Sequence, residues 1–308
     1  MTTESENTVS IKGVYYALSA FTLWGFLPLF WKMLGGFDAG EVLANRIIWS
    51  AVFVTILLIS RKEFSEVGRV FRDRKRAGLV LVSSLIISSN WFVYIWAVQA
   101  NHVIEASMGY YINPLIVILM GTLILKEKLN RLEVISIGCA AAGVLFMTIQ
   151  YGRVPWISLY LATSFSLYGL CKKMVRVDAL AALGLETLMI SPVAIAFLFI
   201  QRQSFLNHIQ VQSIWVVILL MCSGVFTALP LLWFARAARL VPLSVLGFAQ
   251  YLAPTFMLLL GVFLFKEPFT RVNVVSFSLI WTGLAIFSIA QTRKYQQAKA
   301  LLQSVKKE

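Results

Sequence analysis

The chain has 308 residues, 59% of them hydrophobic and 13% charged, with a mean hydropathy of +0.80. A soluble domain carries about a quarter charged residues, so a water-soluble enzyme or nucleic-acid-binding domain is excluded as the bulk of the chain. The formal charge of +13 lies in loops between apolar runs, where it reads as a cytoplasmic excess of Lys and Arg rather than a nucleic-acid surface.

Runs of about 20 apolar residues, enough to cross a bilayer core as a helix, predict ten spans. They fall at 13–34, 40–59, 77–98, 103–124, 131–149, 155–174, 181–200, 213–237, 242–264 and 272–290. Segments 60–76 and 201–212 read as the longer loops. The leading segment 1–12 carries Glu4 and Glu6 without a basic stretch, so the first span is expected to be retained rather than cleaved. Cys139, Cys171 and Cys222 lie inside apolar runs with neither disulfide nor metal spacing. With no phosphate loop either, no cofactor and no metal are expected.

Loop charges orient the spans. Arg61, Lys62, Arg69, Arg72, Arg74, Lys75 and Arg76 make the second loop the strongest cytoplasmic mark. Alternation then puts Lys126, Lys128 and Arg131, Lys172, Lys173 and Arg176, Arg236 and Arg239, and a basic tail 291–308 on the same side. The other side holds few cations, among them Arg153, Arg202, Lys266 and Arg271. Both termini are expected to be cytoplasmic. The tail reads equally as a basic helix on the anionic leaflet or as a solvated end.

The chain also repeats itself. Tyr111, Pro114, Gly121, Lys126, Glu127, Arg131 and Gly143 recur, without a gap, 140 residues later as Tyr251, Pro254, Gly261, Lys266, Glu267, Arg271 and Gly283. Five spans per half is an odd number, so one Lys-Glu turn falls on each side of the membrane and the halves are inverted. The predicted fold is an all-α polytopic membrane protein, with ten transmembrane helices in two inverted five-helix repeats over 13–149 and 150–290. Inverted repeats are a transporter signature and place the substrate between the halves.

An aromatic-x-x-Pro in mid-span, a Lys-Glu turn and a Gly-rich span, given twice, resemble the EamA family of the drug/metabolite transporter superfamily. Gly13-Val14-Tyr15-Tyr16-Ala17 with Trp24-Gly25-Phe26, Ala44–Ser50, Asn90–Ala97 and Ala106–Leu115 resemble its RarD-like branch. The resemblance covers most of the chain. It implies a multi-pass protein of the bacterial inner membrane and a central cavity lined by spans 1–4 and 6–9, with spans 5 and 10 peripheral. Members of that branch are commonly labelled permease or chloramphenicol-sensitivity proteins, a label that says little about the natural substrate.

Pro114 and Pro254 sit in mid-span and are the hinge candidates, because a helical Pro frees a carbonyl and kinks the helix. Pro28, Pro192 and Pro230 are weaker ones. Among charges, Arg46 lies about 9 Å into span 2 and Glu105 just inside span 4, with Glu186 about 8 Å into span 7 and Arg236 near the end of span 8. Buried charge is costly unless paired, so Arg46–Glu105 and Glu186–Arg236 are expected as gating or bracing ion pairs, one per side. Trp24, Asn90, Trp91, Tyr94, Tyr110, Tyr111, Asn113, Tyr168, Trp233, Gln250 and Tyr251 are the substrate-binding candidates, apolar walls with a few polar groups. Trp31, Trp156 and Trp215, at span ends, read instead as interfacial belt residues. Small residues in span 5 (Ser136, Gly138, Ala140, Ala141, Ala142, Gly143) and span 10 (Ser276, Ser278, Gly283) suit close packing, as scaffold or homodimer surface.

The reading is a non-enzymatic permease, a secondary transporter moving a small organic solute or drug-like metabolite across the bilayer by alternating access. Export is the expected direction, with proton coupling available through Glu105 or Glu186. A non-transporting membrane scaffold and an intramembrane enzyme stand as alternatives.

Overall fold

The computed structural model describes residues 10–126, 129–175, 177, 179–241 and 243–305. Glu4, Glu6, Glu127, Lys128 and Arg176, all named above, and Lys306 and Lys307 of the basic tail lie outside the described residues. The described chain is helical, with no strand among these residues. Its helices are α1 (Ile11–Met33), α2 (Ala39–Ser60), α3 (Phe64–Arg72), α4 (Arg74–Gln99), α5 (Val103–Leu125), α6 (Arg131–Tyr151), α7 (Trp156–Val175), α8 (Ala179–Ile200), α9 (Arg202–Val211), α10 (Ile214–Leu240), α11 (Leu243–Ala249), α12 (Leu252–Leu259) and α13 (Arg271–Val305), with a π turn at Leu260–Leu264.

Nine helical segments among the described residues are long and apolar enough to cross a membrane, with α11, α12 and the π turn counting together as Val245–Leu264. The predicted sixth span forms as α7 but is not among them. Its Ser158, Tyr160, Thr163, Ser164, Ser166 and Tyr168 dilute the hydropathy, because several of these groups serve neighbouring helices rather than lipid.

Two sequence expectations change, and the tail, read two ways from sequence, is helical. Segments 60–76 and 201–212 were read as loops because they are polar, yet they hold the short helices α3 and α9. The predicted ninth span breaks at Gln250–Tyr251 into α11 and α12. Pro254 has no N–H to give the Gln250 carbonyl, and its ring crowds that turn. Pro114 sits inside α5, which runs unbroken. Finally, the backbone of the predicted tail continues α13 to Val305.

Helix starts and stops follow local chemistry. Asn130 accepts from Glu133 N at 2.9 Å while Glu133 Oε2 accepts from Asn130 N at 2.8 Å, a reciprocal cap on α6. At α2, Glu41 Oε2 accepts from Asp38 N at 3.0 Å. Lys126 and Lys266 both hold φ of 56°, so the repeated Lys occupies the left-handed position that closes a helix. After it, Glu267 turns back and accepts from Val103 N (2.7 Å) and Ile104 N (2.8 Å), satisfying the free amides that open α5.

The packing order is a closed ring. α1 packs on α10, α10 on α2, α2 on α8, α8 on α4, α4 on α7, α7 on α5, α5 on α12 and α12 on α1. Outside it, α6 and α13 pack on each other and on α5. Their contact is two-fold in character. A Cβ on Gly143 would stand 2.8 Å from Ser276 O, and one on Gly283 would stand 2.7 Å from Ser136 O. Tyr151 hydrogen-bonds Asn273 at one end of this pair, and Gln291 hydrogen-bonds Glu133 at the other. Ser136, Ala140 and Gly143 thus pack within the chain, whereas Gly138, Ala141 and Ala142 are exposed.

Candidate functional site

The cap at Asp38 sets the start of α2, and Arg46 follows two turns later among helices of the ring. It is only 5% exposed. Its guanidinium lies 4.1 Å from the Trp91 ring centroid and 5.1 Å from that of Trp31. Nε donates to Thr227 Oγ1 at 2.8 Å, while Nη1 finds no partner among the described residues. Tyr94 and Tyr110 lie nearby. Burying a charge costs on the order of several kcal/mol even after relaxation. Two cation–π contacts return about 0.5–2 kcal/mol each, and one charged hydrogen bond about 1.5–3 kcal/mol. No ion pair to Arg46 forms among the described residues, an uncommon state for a charge this deeply buried.

From this layer a series of ring contacts continues across α4, α5 and α7. Tyr94 meets Tyr110 edge-on at 5.8 Å between centroids, Tyr110 meets Phe165 at 6.4 Å, and Phe165 meets Tyr168 at 5.9 Å. At its far end Tyr168 donates to Glu186 Oε2 at 3.0 Å, and Lys172 Nζ lies 2.5 Å from the Tyr168 hydroxyl and 3.5 Å from Glu186 Oε1. Trp24 belongs to a neighbouring cluster with Phe21 (5.3 Å) and Phe234 (5.9 Å). Trp233 and Gln250 are half-buried on α10 and at the α11–α12 break.

The structure divides the predicted residues by role. Trp91, Tyr94, Tyr110 and Tyr168 join the Arg46 layer or the ring series. Asn90 and Asn113 spend their amides on α7, donating to Ser164 Oγ (2.8 Å) and Ser166 Oγ (3.0 Å) respectively. Tyr111 and Tyr251, repeat equivalents, stack on one another at 6.4 Å and 17°, and Tyr111 packs edge-on against Phe277 and Trp281 of α13. That pair forms the seam between α5, α12 and α13. Tyr111 also meets Thr255 Oγ1 at 2.7 Å, one turn from the Tyr251 carbonyl.

Neither predicted ion pair forms. Glu105 Oε1 accepts from Ile157 N at 3.1 Å, capping α7, while Arg46 turns to Thr227. Glu186 pairs with Lys172, and Arg236 lies over the Tyr16 ring at 5.6 Å. Depth along a helix was legible, but direction around it was not. Trp31 is a third correction, being fully buried against Arg46 instead of at an interface. Trp156 and Trp215 are exposed, at 49% and 72%. Sequence reasoning also missed Thr227, which carries no signal beyond its hydroxyl. It took Lys172 only as an orientation mark.

The two ends of the ring differ. At the end bearing Glu267, polar contacts tie helix ends together. Lys32 Nζ donates to Asn101 Oδ1 (2.7 Å), Gln99 Nε2 to Phe37 O (3.1 Å), and His208 Nδ1 lies 2.7 Å from Glu41 Oε2. Beneath them one apolar cluster runs from Trp31 and Leu34 through Tyr94 and Ile157 to Met257, joining α1, α2, α4, α5, α7, α10 and α12. At the arginine-rich end the buried residues divide. One cluster joins α2, α3, α4, α8 and α10, and a separate one joins α1, α10 and α11. A cavity of about 190 Å³ lies apart from the Arg46 layer, between α5, α6 and α13 at the Glu267 end, lined by Glu105, Met147, Asn273 and Phe277 among others. Asp38, Glu41 and His208 bring ligand atoms within 4.8 Å of one another. Their hydrogen bonds show a clasp between α2 and α9.

A ring of apolar helices around a buried cation with no ion-pair partner among the described residues is the framework of a polytopic membrane protein. The EamA-like transporter family matches the chain twice, over residues 11–149 and 154–289, and the chain belongs to that family. It is 44% identical to the "Uncharacterized transporter YojE" of Bacillus subtilis (strain 168), across 94% of this chain and 97% of that protein. It is 37% identical to "Protein RarD" of Escherichia coli (strain K12), across 90% and 93%. A more distant relative, 26% identical across 90% and 94%, is the "Chloramphenicol-sensitive protein RarD" of Pseudomonas aeruginosa. A solved crystal structure of a protein 17% identical shares the fold, with a TM-score of 0.57 over 91% of this chain and 98% of that one.

Proposed function

We propose that this chain is a secondary transporter that carries a small organic solute between two faces of its helical ring by alternating access. In this reading it has ten membrane helices in two inverted repeats, 13–149 and 150–290, with both termini and the arginine-rich end at the cytoplasmic side of a bacterial inner membrane. The observation that carries the reading is the ring itself. Its contacts come in pairs 140 residues apart, with α1 on α10 answered by α7 on α4, and α1 on α12 answered by α7 on α5. Such a scaffold supports two related states, open to opposite sides.

The unequal ends support one of those states. The Glu267 end is tied by polar contacts over a continuous cluster, whereas the arginine-rich end is divided, so we assign the structure to a conformation closed outside. The break before Pro254, set against the unbroken α5 around Pro114, supports α11–α12 as the element bent in this state. Solute reaches the Arg46 layer along Tyr110, Phe165 and Tyr168. Glu186, beside Lys172 at the cytoplasmic mouth, supplies a carboxylate for proton coupling.

Flux in proteoliposomes tests this. Purified protein should accelerate saturable uptake or release of at least one member of a panel of anionic, neutral and cationic aromatic solutes, with counterflow when the other face is preloaded. Rates equal to protein-free liposomes for the whole panel would support the scaffold reading.

A further inference from the structure

Arg46 combines three properties not found together at the other charges discussed above. It is buried, it lacks an anionic partner among the described residues, and one of its donors is unused. Glu186, which follows Arg46 by the same 140-residue offset as the repeat, is neutralised by Lys172. Lys32 is held by Gln99 O and Asn101 Oδ1. Among the described residues these two charges are met by partners, and Arg46 is left without a counter-ion.

The surroundings define what closes it. The Trp31 and Trp91 rings lie within cation–π distance of the guanidinium, and Thr227 holds Nε along one edge. The free donors are Nη1 and, in the same buried layer, Trp31 Nε1, which also lacks a partner among the described residues. A guanidinium flanked by aromatic rings is most readily met along its edge, the geometry in which arginine binds a carboxylate. The site has a single net positive charge, so it matches a monoanion. The remainder of the solute would lie along Tyr94, Tyr110 and Phe165, which offer ring surface with one or two hydroxyls.

We propose that the transported solute is an organic monocarboxylate with an aromatic or apolar body, its carboxylate seated on Arg46 Nη1 and Trp31 Nε1. This rests on the transporter reading for its direction of use, but the binding claim stands or falls separately.

The test is calorimetric titration of the full chain in nanodiscs with phenylacetate, phenylacetamide and phenethylamine, which share shape and differ in charge. Phenylacetate should bind at least about tenfold more tightly than either analogue, the scale of one charge-assisted contact. Arg46→Gln should abolish that preference, so that acid and amide bind alike. Arg46→Lys, which keeps the charge but loses the planar fork, should retain an intermediate preference and serves if Arg46→Gln does not fold. Thr227→Val should weaken phenylacetate selectively, since it frees Nε and lets the guanidinium turn. Equal binding of acid and amide by the natural protein overturns the proposal. So does a preference unchanged in Arg46→Gln and Arg46→Lys, a preference for inorganic phosphate over phenylacetate, or no saturable binding of phenylacetate, benzoate and 3-phenylpropionate. Arg46-dependent binding without flux of any solute would keep this site and sink the transporter reading. Flux of neutral or cationic solutes without carboxylate preference would do the reverse.

Discussion

Arg46 and Glu105 show how much one residue's neighbours decide. They lie at similar depth, yet Arg46 bonds Thr227 and Glu105 caps α7. Exchanging their charges, Arg46→Glu with Glu105→Arg, should therefore not rescue flux lost in either single variant. Recovery to half the natural rate or more would restore the discarded ion pair. Glu267 makes a second case. Its carboxylate meets both Val103 N and Ile104 N, so Glu267→Ala should cost about 1–2 kcal/mol, the scale of a lost helix cap. Glu267→Gln, which retains one acceptor oxygen, should cost less. Thermal unfolding in nanodiscs reads both, and an unchanged midpoint in Glu267→Ala would contradict the cap. The repeated Lys-Glu pair was visible in sequence, but its purpose was not. Only the left-handed φ at Lys266 and the fold-back of Glu267 reveal a structural clamp. Trp31 failed for the opposite reason: nearness to a helix end suggested an interface, and nothing in the sequence says that Arg46 lies beneath it.

Among elements, the α11–α12 pair is where the two halves differ most. Span existence was largely legible, since nine of the ten predicted runs coincide with helical segments long and apolar enough to cross a membrane among the described residues, whereas limits were less so, α13 running on to Val305. Interruptions were legible only as candidates, since Pro114 and Pro254 are equally placed and only one breaks its helix. Pro254→Ala restores the missing N–H and should favour a straight helix, slowing flux severalfold while leaving carboxylate binding nearly intact. Pro114→Ala should have the smaller effect in the outside-closed state and a comparable one over the full cycle. Flux and titration on the same preparations separate these, and full-rate flux in Pro254→Ala would remove the break from the mechanism. α3 and α9 were missed because short polar helices have neither the length nor the apolar run used to find spans.

At the scale of the molecule, the repeat governs packing from residue to ring. Gly143 and Gly283 meet the Ser276 and Ser136 carbonyls reciprocally, so Gly143→Leu and Gly283→Leu should each separate α6 from α13. Overpacking of this kind costs about 1–3 kcal/mol, read as similar losses of thermal stability, with flux reduced in proportion to folded protein. A loss at only one of the two would contradict the reciprocal seam. The central claim concerns the ring interior: Arg46 and Thr227 must face each side of the membrane in turn. In a chain with Cys139, Cys171 and Cys222 replaced by Ala, Thr227→Cys places a thiol in the layer that is now buried. A membrane-impermeant thiol reagent applied from either side of oriented vesicles should modify it. Solute or pH conditions that speed labelling from one side should slow it from the other. Protection from both sides under every condition that permits flux, or fast labelling from both sides at once, would contradict the account.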